Sequence, residues 1–228
     1  VNDSTDYQVY NNSAQQDAST EAVRETAGEV LKYKGNIVTT YYYSTSCGKT
    51  TTMKAWGTSE NESNGYLQSV EVKDKNGDYE KSLPWYRWEA DIDQDILSAL
   101  LAENVKKNIG TVQSLEVTKT GPGGVALQIK TVGDKGSITV DTENKIRKAL
   151  GGNGYEIKKQ DGTVAQSGTL LPSAFFKVKK AGNIFKIIGG GYGHGIGMSQ
   201  NGANEMAKKG KNYQEILKMF YPGTTIEK

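Results

Sequence analysis

The chain carries one histidine, His194, and one cysteine, Cys47, so chemistry that depends on an imidazole or a thiolate must run through these two side chains. Cys47 sits in Ser44-Thr45-Ser46-Cys47-Gly48-Lys49-Thr50, directly after the aromatic run Tyr41-Tyr42-Tyr43. A thiol among hydroxyls is either a nucleophile with a stabilised thiolate or a small buried apolar side chain. His194 sits in Gly189-Gly190-Gly191-Tyr192-Gly193-His194-Gly195-Ile196-Gly197, where six of nine residues are glycine. Glycine at that density costs chain entropy and lets backbone N–H groups come close to a ligand. The segment runs into a helix whose N-terminus favours anions and polar oxygens. The alternative is a tight buried crossover in which His194 satisfies backbone groups.

Three familiar signatures fail on specific residues. Cys47-Gly48-Lys49-Thr50 ends like a phosphate-binding loop, but the leading glycine would stand at position 43, which is Tyr43. The glycine run holds no G-x-G-x-x-G in any frame, and Gly197-Met198-Ser199-Gln200-Asn201 lacks the final glycine of a nucleophile elbow. One Cys and one His cannot fill a structural zinc site without borrowed carboxylates, and no metal or cofactor is expected. Trp56, Trp85, Tyr86 and Trp88, with the Tyr41-Tyr42-Tyr43 run, offer flat faces for sugars or serve as core.

These segments need elements to hold them. Residues 17–26 read as a short helix, and residues 29–33 and 36–43 as a hairpin around Lys34-Gly35. Residues 44–50 are too small and hydroxyl-rich for core and read as a loop after a strand. Asp93 is placed to cap a helix carrying Ile96, Leu97, Leu100 and Leu101. Strand-like runs at 112–117, 125–131, 138–140, 155–158 and 184–188 follow, interrupted by a helix at 141–150 and punctuated by Gly121-Pro122-Gly123-Gly124 and Gln160-Asp161-Gly162. One helix begins near Ser199; Asn212 and Glu215 have capping-box spacing for another, which Pro222-Gly223 ends. The fold class is α+β, with mostly antiparallel strands and several short helices. The change of texture after Asp93 leaves open two lobes around a cleft, with a β-rich lobe inserted at 71–182.

At 228 residues, with 36% hydrophobic and 24% charged, the composition is that of a folded domain. A formal charge of +2, with lysines scattered in pairs, argues against nucleic acid as partner. No apolar run is long enough to span a bilayer, and Val1-Asn2-Asp3-Ser4-Thr5 is not a signal peptide.

Taken in order, these segments resemble the stage II sporulation protein D family, which includes the amidase-enhancer proteins. The resemblance rests on residues 3–10 with Gln8-Val9-Tyr10, residues 22–31, Tyr41 to Thr50, Trp56-Gly57, Tyr66-Leu67-Gln68-Ser69-Val70, Ile146-Arg147, Leu171-Pro172-Ser173, residues 191–203, and Tyr213 with Ile216-Leu217 and Tyr221-Pro222-Gly223-Thr224. It spans essentially residues 1–228 as one domain. It implies an extracytoplasmic protein, in the cell wall or anchored to the membrane through a segment absent here. Its partners would be peptidoglycan glycan strands or a cell-wall amidase.

The activity implied is that of a lytic transglycosylase acting on glycan strands stripped of stem peptides. One carboxylic acid protonates the glycosidic oxygen, and the muramic acid 6-hydroxyl closes onto the anomeric carbon to leave a 1,6-anhydro end, so a second carboxylate is not obligatory. The family's catalytic Glu lies upstream of the region that Val1 begins, so the acid is assigned to no residue of this chain. Position 43, often His in the family, is Tyr43, and a glycine of the Ser-Thr-Ser-Gly-Gly pattern is Cys47. Asn2, Asp6 and Tyr7 stand where some members carry Cys and His, so a zinc of that type is not expected. The expected substrate-binding set is Tyr43, Ser44, Thr45, Ser46, Cys47, Gly193, His194, Ser199 and Gln200. The rivals are a non-catalytic amidase enhancer or glycan-binding module, and a metal-dependent hydrolase using His194, Cys47 and Asp3 or Asp6.

Overall fold

The computed structural model of the protein describes residues 13–228. The stretch 3–10 and Asn2, Asp3, Asp6 and Tyr7 lie outside the described residues. In chain order the elements are α1 (Asp17–Glu25), β1 (Val30–Tyr33), β2 (Asn36–Ile37), β3 (Tyr42–Tyr43), β4 (Lys73–Asp74), β5 (Gly77–Asp78), β6 (Trp88–Asp93), α2 (Gln94–Val105), β7 (Val112–Thr120), β8 (Ala126–Gly133), β9 (Gly136–Asp141), α3 (Glu143–Leu150), β10 (Glu156–Lys159), β11 (Val164–Gln166), β12 (Phe176–Ala181), β13 (Ile184–Gly189), β14 (Met198–Ser199), α4 (Gln200–Lys208), α5 (Tyr213–Phe220) and β15 (Thr225–Glu227). This is the α+β arrangement expected, with mostly antiparallel sheets and short helices.

The largest sheet is antiparallel, in the order β11-β10-β6-β13-β12. Its central strand, β6, alternates. Trp88, Ala90 and Ile92 are buried, while Glu89, Asp91 and Asp93 point the other way, as the period of a strand requires. Phe185 and Ile187 of β13 and Ile157 of β10 join the buried side. On the opposite face the register lines up Lys177, Ile188, Glu89 and Lys158 in one row across four strands.

α2 starts where the Asp93 side chain accepts a hydrogen bond from the Asp95 N–H at 2.8 Å, a cap worth about 1 kcal/mol. It buries Leu97, Leu100 and Leu101, as its spacing predicts, each contributing roughly 1.5–3 kcal/mol. α2 packs on α3, and α3 on β8 of the β7-β8-β9 meander. α5 carries the expected capping box between Asn212 and Glu215.

Two expectations change and one strand is new. The hairpin turns as predicted, with Lys34 and Gly35 both at positive φ, the geometry of a two-residue turn. Its second strand ends at Ile37, however, because residues 42 and 43 leave to pair with β14. The alternating Trp88–Asp93 run is a strand, although its acidic outward face disguises it. Residues 44–50 do form the loop after a strand, but much of it is core: Thr45, Ser46 and Thr50 are at most 1% exposed. Their burial is tolerated because they have partners. Thr50 Oγ1 donates to the Gln68 carbonyl (3.2 Å) and accepts from the Val70 N–H (2.8 Å).

Candidate functional site

The two segments singled out by composition are joined along their length. β3 and β14 pair in parallel, Met198 opposite Tyr42 and Ser199 opposite Tyr43. Beyond them, Thr45 and Tyr192 exchange backbone hydrogen bonds at 3.1 and 2.8 Å, and the Thr51 N–H donates to the Gly195 carbonyl at 2.7 Å. Glycine makes this approach possible. At Gly193, φ is +117° and a Cβ would lie 2.7 Å from that of Tyr43; at Gly190, a Cβ would meet that of Cys47 at 2.8 Å.

A carboxylate from a third segment fastens this junction. Glu80 is fully buried. It accepts from the Ser46 N–H (2.9 Å), the Ser199 hydroxyl (2.6 Å) and the Ser46 hydroxyl. Ser199 also caps α4, its Oγ accepting from the Gly202 N–H at 3.2 Å, so the carboxylate sits beside a helix N-terminus that favours its charge. Burial nonetheless pushes the Glu80 carboxyl up from its ordinary value, with the Ser199 and Ser46 bonds opposing. Nothing in the sequence around Glu80 marks it. The only available signal was that Ser46 and Ser199, once buried, need an acceptor.

His194 is fastened to backbone at both nitrogens. Nδ1 accepts from the Ile196 N–H at 3.1 Å, which leaves Nε2–H to donate to the Tyr42 carbonyl at 2.9 Å. The ring lies 5.0 Å from Trp56 and 5.5 Å from Tyr43. Desolvation, with a smaller contribution from the Arg147 charge, lowers its pKa to about 4. A neutral imidazole with both nitrogens taken up is a strut of the crossover, the structural alternative left open by the sequence. Behind it, Trp56 Nε1 donates to Glu143 at 3.2 Å, and Arg147 bridges Glu143 at 2.8 Å and the Leu171 carbonyl at 2.7 Å.

On the other side of residue 47 the surface opens into a cleft of about 660 Å³, lined by Cys47, Gly48, Arg87, Lys177 and the glycines 189 and 190, among others. Arg87 donates to the Cys47 and Tyr86 carbonyls at 2.9 and 2.7 Å and lies 3.8 Å over the Tyr86 ring. The Tyr86 hydroxyl donates to Asp78, and burial together with that bond pushes the phenol up to about 12. Burial also raises the Cys47 thiol, against the pull of Arg87, so it is not an activated thiolate. Glu71, on the same wall, is held below its ordinary value by Lys73 and Lys49.

Of the expected binding residues, only Cys47 lines this cleft; Tyr43, Ser44, Thr45, Ser46, Gly193, His194, Ser199 and Gln200 do not. Tyr43, Thr45, Ser46 and Ser199 are buried, Ser44, Gly193 and His194 half-buried, and Gln200 exposed. The aromatics divide as well. Trp88 is core, its indole donating to the Gly191 carbonyl at 3.0 Å, whereas Trp85 meets Tyr192, which is 43% exposed, with ring centres 4.8 Å apart and planes tilted by 53°. Among the described residues, no three His, Cys, Asp or Glu side chains are grouped to hold a metal ion. No described helix is long and apolar enough to cross a membrane.

Residues 49–197 match the family described as Domain of unknown function (DUF8618). The chain is 29% identical over 250 residues to the amidase enhancer of Bacillus subtilis (strain 168), covering 99% of this chain and 35% of that protein. It is 30% identical over 207 residues to stage II sporulation protein D of the same organism, covering 91% and 50%. An uncharacterized protein of Brachyspira hyodysenteriae (strain ATCC 49526 / WA1) is 31% identical over 228 residues, covering 99% and 53%. The chain thus spans between about a third and a half of the length of these curated relatives.

Proposed function

We propose, from the premise that this chain belongs to the DUF8618 family and is homologous to stage II sporulation protein D and the amidase enhancer, that it forms the glycan groove of an extracytoplasmic, peptidoglycan-acting protein of the lytic transglycosylase type. The observation that carries the reading is the cleft beside Cys47, where both motif segments meet cationic, apolar and aromatic walls. Such a surface offers hydrogen bonds to sugar hydroxyls and N-acetyl groups and flat faces to the rings. Tyr43, Ser44, Thr45, Ser46, Gly193, His194, Ser199 and Gln200 support the walls rather than form them, with Cys47 at the contact. We take residues 1–228 as one domain of this type; in support, β13, outside the stretch 71–182, pairs between β6 and β12, which lie inside it.

The reaction is cleavage of the MurNAc–GlcNAc bond in peptide-stripped strands. An acid protonates the glycosidic oxygen and the 6-hydroxyl of the muramic acid attacks the anomeric carbon, giving the 1,6-anhydro product. The described glutamates of the site are poorly suited to be that acid. Glu80 and Glu143 are withdrawn from solvent, and Glu71 is held charged by two lysines. Asp78, the other carboxylate lining the cleft, is engaged by the Tyr86 hydroxyl, so the reading takes the acid from outside the cleft, and this same observation favours a second reading, a non-catalytic amidase enhancer or glycan-binding module. Mass spectrometry of peptide-free glycan strands, incubated with this chain and with the longest form its reading frame encodes, separates the two. Anhydro-muramic products from the longest form support the first reading; products from neither, with glycan binding retained, support the second.

A further inference from the structure

The cleft beside Cys47 continues into a second pocket of about 260 Å³ that shares Arg87 and Ile188 with it. Together they make one groove across the outward row of the main sheet. The carboxylates along it already have partners. Glu89 is bridged by Lys186 at 2.8 Å, Glu71 by Lys73 at 2.5 Å and Lys49 at 3.4 Å, and Asp78 accepts from Tyr86. Several cations do not. Arg87 donates only to two carbonyls and the Tyr86 hydroxyl, leaving part of its five-donor fork open. Among the described residues, neither Lys158 nor Lys177 forms an ion pair, and Lys159 lies 5.1 Å over the Trp85 ring. The groove is therefore a strip of cations without salt bridges of their own, interrupted by Ile188, which is 37% exposed, and beside it stands the Trp85 ring under Lys159, in contact with Tyr192.

We propose that this groove recognises glycan strands by their free carboxylates, with Arg87, Lys158 and Lys177 taking the carboxylates and the Trp85–Tyr192 pair taking a sugar face. The inference rests on the glycan reading above and names the group on the strand that is recognised and the side chains that take it. Removing a stem peptide breaks its amide bond to the muramic acid lactyl group and leaves a carboxylate there, so a stripped strand carries negative charges separated by neutral sugar faces. Spaced cations with apolar and aromatic surface between them complement that pattern. A polyphosphate chain, charged at every unit, would be pressed against Glu89 and Glu71.

The test measures equilibrium binding of the chain to three probes: peptide-free glycan strands, chitooligosaccharides of equal length, which share the β-1,4 backbone but carry no carboxylate, and inorganic polyphosphate. The stripped strand is expected to bind about tenfold tighter than the chitooligosaccharide at low salt, with the gap closing as salt screens the exposed charges. A Lys158→Gln/Lys177→Gln double variant, altered only at exposed side chains, is expected to lose that preference while keeping its affinity for the chitooligosaccharide and its melting temperature. Equal binding of both glycans overturns carboxylate recognition and leaves the glycan reading standing. Polyphosphate binding tighter than the stripped strand overturns the choice of ligand. Binding to neither glycan overturns both readings.

Discussion

Glu80 and Glu143 are both fully buried, yet the chain accommodates them in opposite ways. Glu143 has a cation, Arg147, one helical turn away at 2.8 Å, and an indole N–H from Trp56. Among the described residues Glu80 has no cation bridged to it. It is held by a backbone N–H, two hydroxyls and a nearby helix end, all brought from other parts of the chain. The first arrangement fixes charge locally and supports the floor behind His194. The second trades charge balance for connectivity, because one carboxylate ties residues 46, 80 and 199 together. Buried pairs lose most when one partner is removed, whereas a carboxylate held by neutral donors is the better tolerated when its own charge is removed.

The largest effect tests the ion pair. Arg147→Met strands the Glu143 charge and is expected to cost about 3–5 kcal/mol in urea unfolding; a loss below about 1 kcal/mol would mean that the Trp56 bond alone suffices and would erase the contrast with Glu80.

The next effect reads the Arg147 charge from a distance, through the only histidine. His194 is expected to titrate near 4 by NMR. Because its folded pKa is depressed, its contribution to stability is complete above about pH 6.5 and is lost as pH falls toward 4, an amount on the order of 3 kcal/mol. Arg147→Met, where the variant remains folded, should move that titration upward, and Glu80→Gln should not move it.

The smallest effect concerns Glu80. Its folded pKa is raised by burial, so the native state holds the proton more firmly; this contribution is full below about pH 4.3 and declines as pH rises through the folded value. Glu80→Gln removes that slope and should change stability at neutral pH by no more than about 1 kcal/mol, while Glu80→Ala, which orphans Ser46 and Ser199, should cost about 1–3 kcal/mol. Chemical denaturation of both variants between pH 4 and 8 checks the order; equal losses would show that the charge itself matters.

Local rules were legible in the sequence where they depend on local spacing. The Asp93 cap, the leucines of α2, the Asn212–Glu215 box and the Lys34-Gly35 turn all follow from positions a few residues apart. What depends on distant contacts was not legible. The hydroxyls of residues 45–50 read as solvent-exposed because polarity without a known partner implies water; their partners come from residues near 70, 80 and 200. Glu80 could not be singled out for the same reason. His194 showed its unusual setting in the sequence but not which of its two readings holds, and the cleft gathers Arg87 and Lys177, which the sequence presents as ordinary surface charge.

The parallel pairing of β3 with β14 joins residues about 155 positions apart, as the Ser199–Ser44 and Asn201–Thr45 contacts also do. Contacts of such sequence separation cost loop-closure entropy that must be met before the contacts repay it. The cleft beside Cys47 is walled from both ends of that closed loop, by Cys47 and Gly48 on one side and Gly189 and Gly190 on the other, so its shape is set by a junction between the two ends of the chain and not by either segment alone.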